Sequence, residues 1–207
     1  MDGCFFLCRN VSIAARFNQE PDKAFFVLRA SIRESDRMRV KKIISGGQTG
    51  ADRGGWDAAM YRSIPIGGWV PKGRKAEDKV IPDIYENLKE SPSANYLMRT
   101  EANIKDSDAT LIFSYGPPTG GSKRTVAFAE KHRKPFLPVD LDQPKENMIG
   151  KIVAWLQGIS AEDGRLNVAG SRGSKEPAIQ AKVKDWMTDV IREVNAEEPF
   201  SAVAEKN

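Results

Sequence analysis

Twice in this chain an apolar run ends in a glycine-rich turn that opens directly into a helical pattern. Val40-Lys41-Lys42-Ile43-Ile44 leads into Ser45-Gly46-Gly47-Gln48-Thr49-Gly50-Ala51-Asp52, and a helical stripe begins near Asp52. Ala109–Ser114 leads into Gly116-Pro117-Pro118-Thr119-Gly120-Gly121-Ser122, with a helix opening at Ser122. Further apolar runs at 64–70, 135–141 and 165–169 read as buried strands. Helical patterns occupy 52–62, 99–106, 122–132, 146–158 and 178–195; the last carries Ile179, Val183, Trp186, Val190 and Val194 on one stripe. Strands interleaved with helices build βαβ units and a parallel sheet covered on both sides. The expected fold is α/β, a Rossmann-like doubly wound, mainly parallel sheet with helices on both faces. Its ligand should lie beyond the carboxyl ends of the strands, at a topological switch point.

The first loop has the placement of a phosphate cradle. Gly46, Gly47 and Gly50 can take positive φ and let the backbone approach a ligand. The unpaired N–H groups and dipole of the following helix favour an anion. Neither the G-x-x-x-x-G-K-[ST] nor the G-x-G-x-x-G pattern is present, so a phosphorylated ligand would be held differently from ATP or NAD. Basic residues recur beside the glycine loops: Arg53, then Lys72, Arg74 and Lys75, then Lys123 and Arg124. They read as an anion site, against the plainer reading of solvated surface charge. Polar candidates are Gln48, Thr49, Asp52, Arg74 and the run Arg99-Thr100-Glu101-Ala102-Asn103. Asp52 has an equal claim as a helix cap, and Asp106-Ser107-Asp108 reads as a helix-to-strand turn in preference to a metal site. Asn167–Arg172 adds a third loop to the same edge. Trp56, Trp155 and Trp186 fall on helical stripes and read as core, whereas Trp69, at the end of the second strand, is placed to stack on a planar ring.

Composition narrows the function classes. A net charge of +4 on 207 residues lacks the strongly basic stripe of a nucleic-acid binder. The only cysteines are Cys4 and Cys8 and the only histidine is His132. That pattern excludes a disulfide framework and a cysteine-based structural zinc site, and leaves little for a nucleophilic triad. No apolar run approaches the ~18 residues of a membrane span, and the N-terminus does not read as a signal peptide. A cytoplasmic protein is expected. Residues 1–37 lack a clean period and read as an extension, with Met38 as a candidate natural start; 38–196 form the domain, and 197–207 a tail. The stretch 70–98, rich in proline and charge, reads as an irregular functional lid.

Several ordered blocks resemble the molybdenum carrier family, also called the molybdenum cofactor carrier proteins. They are Ile44 to Arg53, Gly67 to Asp78, Arg99 to Asn103, Asp106 to Ile112, Thr119 to Gly121, and Leu166 to Gly170 with Arg172, Ser174 and Lys175. Together they span about 40–195. The resemblance implies a non-catalytic Rossmann-like protomer in a homo-oligomer (dimer or tetramer). It implies a carrier that binds and protects the molybdenum cofactor (molybdopterin) for transfer, with molybdoenzymes as recipients. That cofactor is a phosphorylated pterin whose own dithiolene holds the metal, so no protein metal ligand is needed. On this reading a glycine loop, Gly46, Gly47 and Gly50 or Thr119, Gly120, Gly121 and Ser122, takes the phosphate. Lys72, Arg74 or Lys123 face the anionic metal end, and Gln48 and Asn103 face the pterin, with Thr49 and Asp52 nearby.

The same resemblance reaches to the lysine-decarboxylase-like phosphoribohydrolases and their Pro-Gly-Gly-x-Gly-Thr-x-x-Glu signature. Here Lys123 and Arg124 replace its second glycine motif, and Ala127 stands at the catalytic glutamate, with Glu130 three residues on. The alternative is therefore a small anionic, phosphorylated nucleotide-like ligand, bound or hydrolysed, with Glu101 or Asp52 as the acid.

Overall fold

The computed structural model describes residues 36–196. Residues 1–35 of the expected 1–37 extension, and the tail at 197–207, lie outside the described residues. The strands are β1 (Lys42–Ile44), β2 (Ile66–Val70), β3 (Lys75–Ala76), β4 (Lys79–Val80), β5 (Leu88–Glu90), β6 (Ala109–Ser114), β7 (Phe136–Asp140) and β8 (Arg165–Gly170). The helices are α1 (Ala51–Tyr61), α2 (Tyr96–Lys105), α3 (Gly120–Lys131), α4 (Lys145–Gln157) and α5 (Ile179–Asn195).

Six strands form one parallel sheet in the order β5-β2-β1-β8-β6-β7. Composition matches position for two of them. All six residues of β6 are buried, which suits an interior strand covered on both faces. Pro138 interrupts β7, and a strand lacking an N–H is tolerated at the sheet edge, where β7 lies. Helices α1, α5 and α4 pack side by side, and α2 packs against α3. The amphipathic α5 buries Ile179, Val183, Trp186, Met187, Val190, Ile191 and Val194. Trp56, Trp155 and Trp186 are all buried in the core, as their stripes predicted. The result is the Rossmann-like doubly wound fold.

Two features differ from the linear reading. β1 and β6, the strands that carry the two glycine loops, are not neighbours: β8, the last strand of the chain, lies between them. Parallel pairing needs only a crossover of sufficient length, and α4 with the 158–164 turn supplies it from β7. The stretch 70–98 is also more regular than expected. It contains a 3-10 turn at Lys72–Arg74, the antiparallel hairpin β3–β4, and β5, which pairs with β2 and extends the sheet. These segments have two or three residues each, too few for a periodic hydrophobic signal. Among the described residues no helix is long and apolar enough to cross a membrane.

Candidate functional site

Beyond the carboxyl ends of β1, β8 and β6 lies a cleft of about 380 Å3. The β1–α1 loop contributes Gly46, Gln48 and Asp52, and β8 with its following loop contributes Asn167, Ala169, Gly170, Ser171, Arg172 and Lys175. The turn and first helical turns after β6 contribute Thr119, Gly120, Gly121, Ser122, Arg124 and Thr125. Helix α2 closes the remaining side with Tyr96, Leu97, Arg99, Thr100 and Asn103.

The β1–α1 loop is less open than a phosphate cradle. Its Gln48 N–H donates to Asp52 Oδ2 at 3.1 Å, its Thr49 N–H to Gln48 Oε1 at 3.1 Å, and its Ala51 N–H to Ser171 O at 3.1 Å. Asp52 is therefore a local cap as well as a cleft residue. Arg99 Nη1 donates to the same Asp52 Oδ2 at 3.2 Å. Burial pushes the Asp52 carboxyl above its ordinary range, against the opposing pull of Arg99, the Gln48 N–H and Arg53.

Helix α3 presents the freer N-terminus. Thr119, its N-cap residue, makes no side-chain cap bond; its Oγ1 accepts instead from Lys175 Nζ at 3.0 Å. The Ser122 and Lys123 N–H groups both turn back to Thr119 O. The Gly120 and Gly121 N–H groups have no acceptor among the described residues. Orphan N–H groups at a helix start, with the positive end of the dipole behind them, favour an anion. Arg124, Arg172 and Lys175 line the same part of the cleft.

Of the sequence-predicted residues, the fold brings Gly46, Gln48, Asp52, Asn103, Thr119, Gly120, Gly121 and Ser122 onto the cleft. Gly47, Thr49, Gly50, Lys72, Arg74 and Lys123 are not among its lining. Gly47 packs against Ile81 and Trp56, and Gly50 against the backbone of 171–173. Arg74 donates to the carbonyls of Ile81, Pro82 and Tyr85, so it shapes its own loop. Asn103 lies on the cleft, but its amide is spent on the backbone of Trp69, accepting at 2.7 Å and donating at 2.9 Å. Trp69, expected as a stacking platform, donates its indole N–H to Asp106 at 2.7 Å and lies off the cleft. Glu101 also faces elsewhere: hydrogen bonds from Lys131 and His132 hold its carboxyl down to about 2.

The sequence reading missed Tyr96, Leu97 and Thr125, and ranked Arg99 no higher than its neighbours. A signal existed. Tyr96, Arg99, Thr100 and Asn103 fall at i, i+3, i+4 and i+7, a single helix face that is polar where a core stripe would be apolar.

The hairpin β3–β4 is strapped over the β1–α1 loop. Its turn residue Asp78 forms a two-pronged pair with Arg53, at 2.6 and 2.8 Å. Glu77 bonds the Thr49 hydroxyl and accepts from the Ser174 N–H at 2.9 Å and hydroxyl at 2.6 Å. Partial burial raises the Glu77 carboxyl, but hydrogen bonds from Ser174 and Thr49 and the charge of Arg172 outweigh it and leave it lowered. A carboxylate depressed in the folded state contributes stability above its ordinary value of 4.5 and loses it as pH falls through the folded value. Amides 75–80 are therefore expected to exchange faster, after correction for intrinsic rates, when pH is lowered from 6 to below 4. Unchanged protection across that range would contradict the strap.

A family model described as the circularly permutated YpsA SLOG family matches residues 43–191. The solved structure of a "Putative molybdenum carrier protein" from Syntrophus aciditrophicus is similar to this chain, with 44% identity and a TM-score of 0.67. The match covers 77% of this chain and 98% of that one. No curated protein matches significantly.

Proposed function

Because the chain belongs to the circularly permutated YpsA SLOG family, we propose on that premise that its cleft holds a phosphorylated pterin carrying molybdenum. The protein is then a non-catalytic carrier that protects the cofactor and hands it on. The observation that carries this reading is the uncapped start of α3 facing the same cleft as Arg124, Arg172 and Lys175. An anionic group seated there accepts from the Gly120 and Gly121 N–H groups and is neutralised by the flanking cations. The phosphate-binding role passes from the β1 loop, where Asp52, Gln48 and Ser171 occupy the Gln48, Thr49 and Ala51 N–H groups, to the α3 loop.

The cargo brings its own metal ligands, which suits the residues available. His132 is bound to Glu101 away from the cleft, and the cleft's charged side chains are Asp52 and cations. Those cations attract an oxo-anion by charge without coordinating its metal. The 44% identical Syntrophus aciditrophicus protein, itself named as a molybdenum carrier, supports the same class of cargo.

Protein purified from cells making the cofactor is expected to retain molybdenum and pterin in about one-to-one ratio, read by elemental analysis and pterin fluorescence. Absence of both from folded protein, with no uptake on titration, overturns the reading.

A second reading, hydrolysis of a nucleoside monophosphate, draws on one observation: Asp52 is a cleft carboxyl raised by burial. The signature glutamate's position argues against it, since Ala127 is exposed and off the cleft. Release of free base from AMP-type substrates would favour the enzyme.

A further inference from the structure

We infer that the floor of the cleft reads the lactam edge of a planar heterocycle, a ring N–H beside a ring carbonyl, and rejects the amino-substituted edge. The inference rests on the carrier reading and specifies which ring its cleft accepts.

It starts from three side chains whose hydrogen bonding is half complete. Asp52 Oδ2 accepts from the Gln48 N–H and from Arg99 Nη1, whereas Oδ1 has no partner among the described residues. Arg99 makes that one side-chain hydrogen bond, although a guanidinium carries five N–H donors. Its Nε is buried with no partner. Gln48 Oε1 accepts from the Thr49 and Glu77 N–H groups. Two donors on one oxygen fix which end of the amide is which, and its nitrogen is left unpaired among the described residues. All three side chains line the cleft. Buried polar groups are normally paired, and a ligand seated in the cleft would supply the partners these three side chains lack.

The arrangement is held rather than incidental. A Cβ on Gly46 would fall 1.3 Å from Arg99 Nη1, so the guanidinium rests directly against the glycine backbone. The Tyr96 ring centroid lies 5.9 Å from the guanidinium carbon, and Tyr96 itself lines the cleft. The floor therefore offers one carboxylate acceptor beside a guanidinium donor, next to an aromatic face.

A lactam is complementary to that pair. Its N–H donates to Asp52 Oδ1 and its carbonyl accepts from Arg99. An amino-substituted ring reverses both: the amino group meets the guanidinium and the ring-nitrogen lone pair meets the carboxylate. With the phosphate anchored at the start of α3, the ring cannot exchange ends to escape those two repulsions. Pterin, guanine and hypoxanthine are accepted; adenine and diaminopteridine are refused.

Two matched pairs test this on the full chain: IMP against AMP, and 6-hydroxymethylpterin monophosphate against its 2,4-diamino analogue. Each pair differs at the oxo/N–H versus amino/N edge. By titration calorimetry or pterin fluorescence, the oxo member is expected to bind at least about tenfold more tightly, a low threshold for a site whose polar groups the amino edge leaves unpaired. Asp52→Asn and Arg99→Gln are each expected to shrink that ratio to within about threefold, with folding checked by thermal melting. Equal binding within both wild-type pairs, tighter binding of the amino member, or no binding of any of the four overturns the inference. Molybdenum and pterin content of the purified protein scores the carrier reading separately, so either can fail alone.

Discussion

Gly121→Asp is expected to abolish cofactor retention while leaving the protein folded. Gly121 lies in the first turn of α3, and a Cβ placed there meets nothing within 4 Å. The new side chain therefore extends into open space. An aspartate in a first helical turn interacts favourably with the dipole, so stability is expected to hold or rise slightly. Its carboxylate, however, takes the place where we put the ligand's phosphate and satisfies the Gly120 and Gly121 N–H groups internally. It also repels the incoming dianion by roughly 3 kcal/mol at an effective dielectric near 20, about 100-fold in affinity. Molybdenum and pterin content should fall to background at an unchanged melting temperature. Gly121→Ala, which adds bulk without charge, should retain most of the cargo. Normal retention by the aspartate variant would move the anion elsewhere in the cleft.

Gly50→Ala should produce the largest stability loss of any single-methyl addition in the loop. Gly50 sits at φ 85°, ψ −130°, a region that side chains rarely adopt. Its Cβ would lie 2.5 Å from Ser171 O and 2.7 Å from the Gly173 nitrogen. Both are backbone atoms, and neither can swing aside. The conformational strain and the displaced 171–173 loop together cost about 3 kcal/mol, or roughly 10 °C in melting temperature for a domain of this size. The damage is not confined to stability. The Ala51 N–H bond to Ser171 O holds the β1 and β8 loops together, and Ser171 and Arg172 wall the cleft. Retention should fall alongside the melting point. A shift below about 2 °C would show that the two loops can separate cheaply.

These two glycines show how far linear reading extends. Both were singled out on the same grounds, a glycine-rich turn between strand and helix. The structure assigns them different tasks. Gly121 faces open space on the cleft, whereas Gly50 lets two backbones cross off it. Conformational tolerance is a property of the residue and can be read locally; what fills the space where its side chain would be depends on a segment more than a hundred residues away.

The same division holds for the charges. Arg74 stood beside a glycine loop in the sequence and was an apparent anion ligand, yet its guanidinium closes its own loop onto three carbonyls. Arg99, unremarkable within a helical run, lies over Gly46 and meets Asp52 from 47 residues away. Nothing in their local spacing separates them.

The sequence by itself determined the alternation of strands and helices, the parallel sheet, and the edge on which the glycine loops lie. Each depends on periodicity and turn chemistry within about ten neighbouring residues. Only the tertiary structure decided that β8 inserts between β1 and β6, bringing Arg172 and Lys175 to the cleft. The folded structure likewise pairs the Gln48, Thr49 and Ala51 N–H groups of the β1 loop and leaves those of Gly120 and Gly121, at the start of α3, free among the described residues. The physical reason is common to both. A hydrogen bond or a strand partner is chosen by what the folded chain brings within about 3 to 5 Å, and sequence separation does not limit that choice.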